Sequence, residues 1–186
     1  MKQRSFIAIV FLFLLTATSF AQENNCALKL SHLKPAPEAF GFRLGMTVEE
    51  VKAIVPTLPM GKADDLGVMK TSFSPRFDPK IEKEKFENVR TVSFEFFDGK
   101  LMDLWIGYTS EFKWATLDEF LPQMSASFGL PINGWKTKGI ERRLDCEEFL
   151  VEAKMIAAGP SIHFMDKVAK KLWEERRAQM AEEPDK

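Results

Sequence analysis

The chain holds only two histidines and two cysteines, so histidine- or thiol-based chemistry has few places to be. His32 lies in Leu30-Ser31-His32-Leu33, near the start of the mature chain. His163 alternates with Ile162 and Phe164, which turns it to the wetter side of a strand. A catalytic histidine needs a nucleophile or carboxylate brought to it, and the local signatures of such sites are missing. There is no Gly-x-Ser-x-Gly, no His-Glu-x-x-His and no Gly-x-x-x-x-Gly-Lys-Ser/Thr. Paired carboxylates at Glu49-Glu50, Asp64-Asp65, Asp118-Glu119 and Glu147-Glu148 are the groups that glycoside hydrolysis or metal binding would use. Two of these pairs fall in the first turn of predicted helices, where they cap backbone donors and favour the helix dipole. Asp64-Asp65 lacks the alternating oxygen ligands of a calcium loop. Neither Cys26 nor Cys146 has a second Cys or a His at zinc-ligand spacing. These residues point to no catalytic group, no metal and no cofactor.

The cysteines have another use, which follows from the start of the chain. Lys2 and Arg4 precede an apolar run over residues 6–15, and a stretch of mostly small residues, Thr16-Ala17-Thr18-Ser19-Phe20-Ala21, follows, the order of a secretory signal peptide. Ser19 and Ala21 supply the small-x-small pattern, so cleavage is expected after Ala21, leaving a chain that starts at Gln22. The apolar core is much shorter than the ~20 residues needed to span a bilayer. Cys26 follows Glu23-Asn24-Asn25, which is not a lipidation context. The expectation is a secreted or periplasmic protein with no transmembrane anchor once the signal is removed. In an oxidising compartment the two cysteines are expected to bridge, Cys26 to Cys146.

Charge excludes one class of partner. The chain has 26 basic and 27 acidic residues, and removing Lys2 and Arg4 leaves 24 against 27, a net charge of -3. Binding to a phosphate backbone needs a basic excess, so nucleic acid is not expected as a partner.

The elements around these residues read as follows. Thr47 with Glu50 forms a capping box, Met46 and Val51 occupy the staple positions, and Pro56 ends the helix, with Val51, Ile54 and Val55 as its inner stripe. A second Thr-x-x-Glu box at Thr116 opens a helix that ends at Gly129, and Pro122 fits its first turn if the helix starts at Asp118. Residues 67–73 read as a strand and 74–88 as a solvated loop. Residues 89–108 read as a hairpin around Phe97-Asp98-Gly99, with even-numbered apolar faces on both strands. That parity requires an odd number of loop residues, which a three-residue loop with Gly99 left-handed supplies. Residues 148–155 and 161–165 form a later hairpin, and a charged helix from 166 onward is docked through Val168, Leu172 and Trp173. The fold class is α+β: an antiparallel sheet of about four to six strands, two short capped helices on one face, and a C-terminal helix. The recurrence of capped helix plus hairpin reads as two related halves. The divisions are signal peptide 1–21, N-terminal segment 22–39, α+β domain 40–166 and charged C-terminal helix 167–186.

Parity also assembles a candidate site. Ser93, Glu95, Asp103 and Trp105 face away from the apolar side of the first hairpin, and Glu152, Lys154 and His163 do the same on the second. If both hairpins share one sheet, these seven residues share one surface. An aromatic residue in a charged surround is the anatomy of a protein-binding patch. Trp105 has two readings: a binding anchor, or a ring buried under the C-terminal helix or the 57–88 loop.

The run Phe40-Gly41-Phe42-Arg43-Leu44-Gly45-Met46-Thr47-Val48-Glu49-Glu50-Val51, followed by a hairpin carrying Phe-x-Phe-Phe-Asp-Gly-Lys-Leu, resembles secreted bacterial modules of the β-lactamase-inhibitor and BamE-like type. The resemblance implies one or two helices on an antiparallel sheet and a role in binding other proteins. It differs from the assembly lipoproteins in lacking a lipidation cysteine. The function expected is a non-enzymatic binding module for a protein or other envelope component. Two alternatives stand beside it: a cell-envelope accessory that binds glycan or lipid, and a hydrolase whose site residues are scattered along the chain.

Overall fold

The structure is a computed structural model and describes residues 26–182. The expected signal peptide and its cleavage site lie outside the described residues. Among those described, no helix is long and apolar enough to cross a membrane.

The described residues form three α-helices and seven strands: α1 (Val48–Ile54), β1 (Val68–Phe73), β2 (Val89–Phe97), β3 (Lys100–Tyr108), α2 (Leu117–Phe128), β4 (Lys136–Lys138), β5 (Glu141–Asp145), β6 (Phe149–Ile156), β7 (Gly159–Asp166) and α3 (Lys167–Glu182). All strand pairs are antiparallel, in the order β1-β2-β3-β7-β6-β5-β4. The second half thus mirrors the first: a capped helix, then strands ending in one that pairs at the centre, β3 against β7. The sheet has seven strands because β4 and β5 extend one edge. β5 buries only Leu144 fully, so no alternation marks it in the sequence.

The two helix starts form as their sequences dictate. Thr47 and Thr116 accept from the N–H of Glu50 and Glu119 at 3.2 Å each, and each glutamate reaches back to its threonine N–H. Met46 and Val51 are both buried. Pro122 departs from expectation. The helix begins at Leu117, so the proline lies past the first turn and deprives the Asp118 carbonyl of its N–H partner. Phe120, Leu121, Met124 and Phe128 still hold the helix to the sheet by burying its inner stripe.

The central hairpin reaches the expected parity by a different route. Its loop is two residues, Asp98 and Gly99, both at positive φ (49° and 77°), which matches the twist of the strands. A bulge then supplies the extra residue: Glu95 pairs with Asp103 but Phe96 with Leu101, leaving Met102 over. Leu101 therefore joins the main core, and Met102 turns to the outer face. There it meets Val68 and Phe97 in a small cluster roofed by Leu66, Ala169 and Trp173.

That cluster is where α3 docks. Asp166 accepts from the N–H groups of Val168 and Ala169 at 2.9 Å and so starts the helix. Further along, Arg176 grips both carboxylate oxygens of Asp98 and the Leu66 carbonyl. Val168 and Leu172, expected to dock, are 53% and 52% exposed, because the helix turns its Ala169-Trp173-Arg176 face to the sheet. The 74–88 segment holds no helix or strand, yet Ile81 and Phe86 anchor it in the core.

The disulfide joins Cys26 to Cys146 across 120 residues. It ties the first described residue to the turn between β5 and β6.

Candidate functional site

The inner face of the sheet is filled by the helices, and α3 covers only one end of the outer face. Across the middle of that outer face runs a single cross-strand row: Ser72, Ser93, Trp105, His163, Glu152, Arg143 and Lys136. Because β3 pairs with β7, two hairpins distant in sequence set Trp105 directly beside His163. Asp103 and Glu95 occupy the neighbouring row, opposite one another. All seven predicted residues lie on this face. Asp103, Trp105, His163 and Glu152 come together at its centre. Glu95 is tied to Lys70 at 2.7 Å, and Lys154 to Glu141 at 3.1 Å, on the flanks.

His163 is held between two carboxylates. Its Nε2 lies 2.7 Å from Asp103 Oδ2, and its Nδ1 lies 3.7 Å from Glu152 Oε2. Burial alone would push the imidazole pKa down, but the Asp103 hydrogen bond and charge, helped by Glu152, outweigh it and raise the value above 6.5. Glu152 is shared with Arg143, 3.6 Å away on β5. The result is a chain of alternating charge over four strands, β3, β7, β6 and β5.

This arrangement does not leave His163 poised as a general base. Both ring nitrogens face carboxylates, and the raised pKa favours a ring that already carries its proton. Ser93 is the nearer of the two hydroxyls in the same row, but β3 separates it from His163, a gap of about 10 Å at ordinary strand spacing. Asp103, His163 and Glu152 are of metal-ligand type but point at one another. No group of three or more His, Cys, Asp or Glu among the described residues is arranged to hold a metal ion.

Trp105 answers to neither of its two sequence readings in full. It is half-buried and belongs to neither apolar cluster, since α3 covers Met102 instead. Its ring lies over Gly107, where a Cβ would strike the indole, and the Arg90 guanidinium sits 5.3 Å from the ring centroid. Arg90 was not legible as a site residue. It shares the even parity of Val92 and Phe94, and only a second bulge, between Val89 and Thr91, brings it to the outer face. A charge at a core-parity position is the one sequence signal that marks it. Phe77, 77% exposed, was also missed. It borders a groove of about 380 Å³ that runs past Ser72 and Thr91 at the edge of the same face.

Two larger clefts, of about 470 and 520 Å³, flank the disulfide and share Cys26, Ala27 and Gly134. His163 lines neither. No family model matches the sequence, and neither the curated proteins nor the solved structures contain a match.

Proposed function

We propose that the protein is a secreted or periplasmic binding module that recognises a partner protein through the open outer face of its sheet. One observation carries the reading: the uncovered centre of the sheet places a half-buried tryptophan beside a charge chain, Asp103-His163-Glu152-Arg143, held in register by the strands. An aromatic residue in a charged surround, on an element rather than a loop, is how interface anchors are built. The exposed Phe77 at the edge extends the apolar part of the surface. Extracytoplasmic location is supported by the disulfide together with the signal-like start of the chain. The likeness of residues 40–51 to secreted binding modules points the same way.

The test is Trp105→Ala in the mature protein, with partners captured by crosslinking in the native envelope fraction. The melting temperature should stay nearly unchanged, while partner affinity falls by about 2 kcal/mol or more. If the substitution instead costs about 3–5 kcal/mol of stability with no effect on capture, Trp105 is a packing residue and the face is not the binding surface.

A further inference from the structure

We propose that Arg90 is an anion subsite on this face that takes one carboxylate from a partner protein. This rests on the binding reading above and adds the partner's chemistry. The Nε and Nη2 of Arg90 are both buried, and neither has a hydrogen-bond partner. These two nitrogens form one edge of the guanidinium, whose parallel N–H groups match the two oxygens of a carboxylate. Buried donors in native proteins are ordinarily paired, so an orphaned pair on one edge marks a place where a partner belongs. The Thr109 hydroxyl, two residues beyond Gly107, is buried and unpartnered as well.

The neighbouring charges show which anion fits. Lys70 is paired with Glu95, His163 with Asp103, Arg143 with Glu152 and Lys154 with Glu141. Among the described residues Arg90 takes part in no ion pair, so the unanswered charge at this spot is a single one with a single fork. A carboxylate satisfies both. A phosphate dianion would leave a charge for which these paired cations offer no answer.

The subsite lies against the Trp105 ring, whose centroid is 5.3 Å from the guanidinium. The indole of Trp105 and the guanidinium are seated together on Gly107, where a Cβ would come within 2.9 Å of Nη2. Because Trp105 lies outside both core clusters, its ring can swing off the fork as the carboxylate arrives. The ring then lies against the stem of the incoming side chain. Arg90 and Trp105 act as one anchor, the first for charge and the second for apolar area.

The experiment uses the mature protein and has two arms. In the first, ¹⁵N-labelled protein is titrated with sodium acetate against sodium chloride at matched ionic strength, reading the Arg90 Nε–H and Trp105 indole N–H signals. A saturable shift with acetate alone is expected. It should disappear in Arg90→Met and Arg90→Lys, which lack the fork, while the melting temperature holds or rises because an unpaired buried charge has gone. Identical responses to acetate and chloride, a response to inorganic phosphate in place of acetate, or a fall in melting temperature in Arg90→Met would each overturn the subsite. The second arm repeats the envelope capture with Arg90→Lys beside Trp105→Ala. Loss of the same protein in both supports the subsite. Loss in Trp105→Ala alone overturns the subsite and leaves the binding face standing. Capture unchanged in both overturns the binding face itself and the assignment of a protein carboxylate.

Discussion

His163→Gln is expected to lose more stability in acid than in alkali. The side chain sits between Asp103 and Glu152 with only 25% of its surface exposed, and Asp103 keeps 20%. A hydrogen bond to a charged group contributes about 1.5–3 kcal/mol, against about 0.5–1.5 kcal/mol for a neutral one. The folded-state pKa is raised above 6.5, so the native protein holds its proton over an interval in which the unfolded chain has released it. The native state binds more protons there, and stability falls as pH rises through the folded value. Below the unfolded value the contribution is fully present. His163→Gln should therefore cost about 2 kcal/mol at about pH 5.5 and about 1 kcal/mol or less at about pH 9. The facing groups are Asp103 from β3 and Glu152 from β6, with Arg143 from β5 behind Glu152. Urea unfolding of both proteins at each pH measures the difference, in which groups remote from the site cancel. A difference that is flat with pH, or larger in alkali, would refute the carboxylate clamp, because desolvation would then have outweighed it and left the ring neutral.

The remaining expectations concern the parts that hold this face. Replacing both Cys26 and Cys146 by Ser should lower stability by about 4–5 kcal/mol in the chain-entropy model, since the bridge closes a 120-residue separation. Urea midpoints of the two proteins decide it, and a change below about 1 kcal/mol would contradict the model. Gly107→Ala should displace the indole, because its methyl group would occupy the place of the ring edge. A moved Trp105 indole N–H signal and a loss of about 1 kcal/mol are expected, and an unmoved signal would count against the stacking described. Thr116→Ala removes the acceptor for the Glu119 N–H and should cost about 1 kcal/mol by thermal or urea unfolding.

Parts of this protein were legible because their causes are local or admit one solution. The Thr-x-x-Glu boxes at Thr47 and Thr116 carry both halves of their hydrogen bonds within four residues. Two cysteines allow one intramolecular bridge, and it is the one observed. Alternation over Val92, Phe94 and Phe96 and over Leu104 and Ile106 placed Ser93, Glu95, Asp103 and Trp105 on the opposite face before any strand order was known.

Other features depended on pairing between distant segments. A two-residue Asp98-Gly99 turn and a three-residue loop satisfy the same parity once a bulge is allowed, and the choice sent Leu101 to the core and Met102 outward. β5 has almost no pattern of its own, and its pairing with β6 makes it a strand. Which face of α3 docks was decided by the apolar patch that Met102, Val68 and Phe97 present to it. Arg90 reads as an interruption in a core stripe until the bulge at its own position turns it toward Trp105. The sequence by itself determined which residues face outward from each hairpin, because alternation is a property of one strand. Only the tertiary structure decided that Trp105, His163 and Glu152 are neighbours, because that requires β3 to pair with β7, a strand from a distant part of the chain.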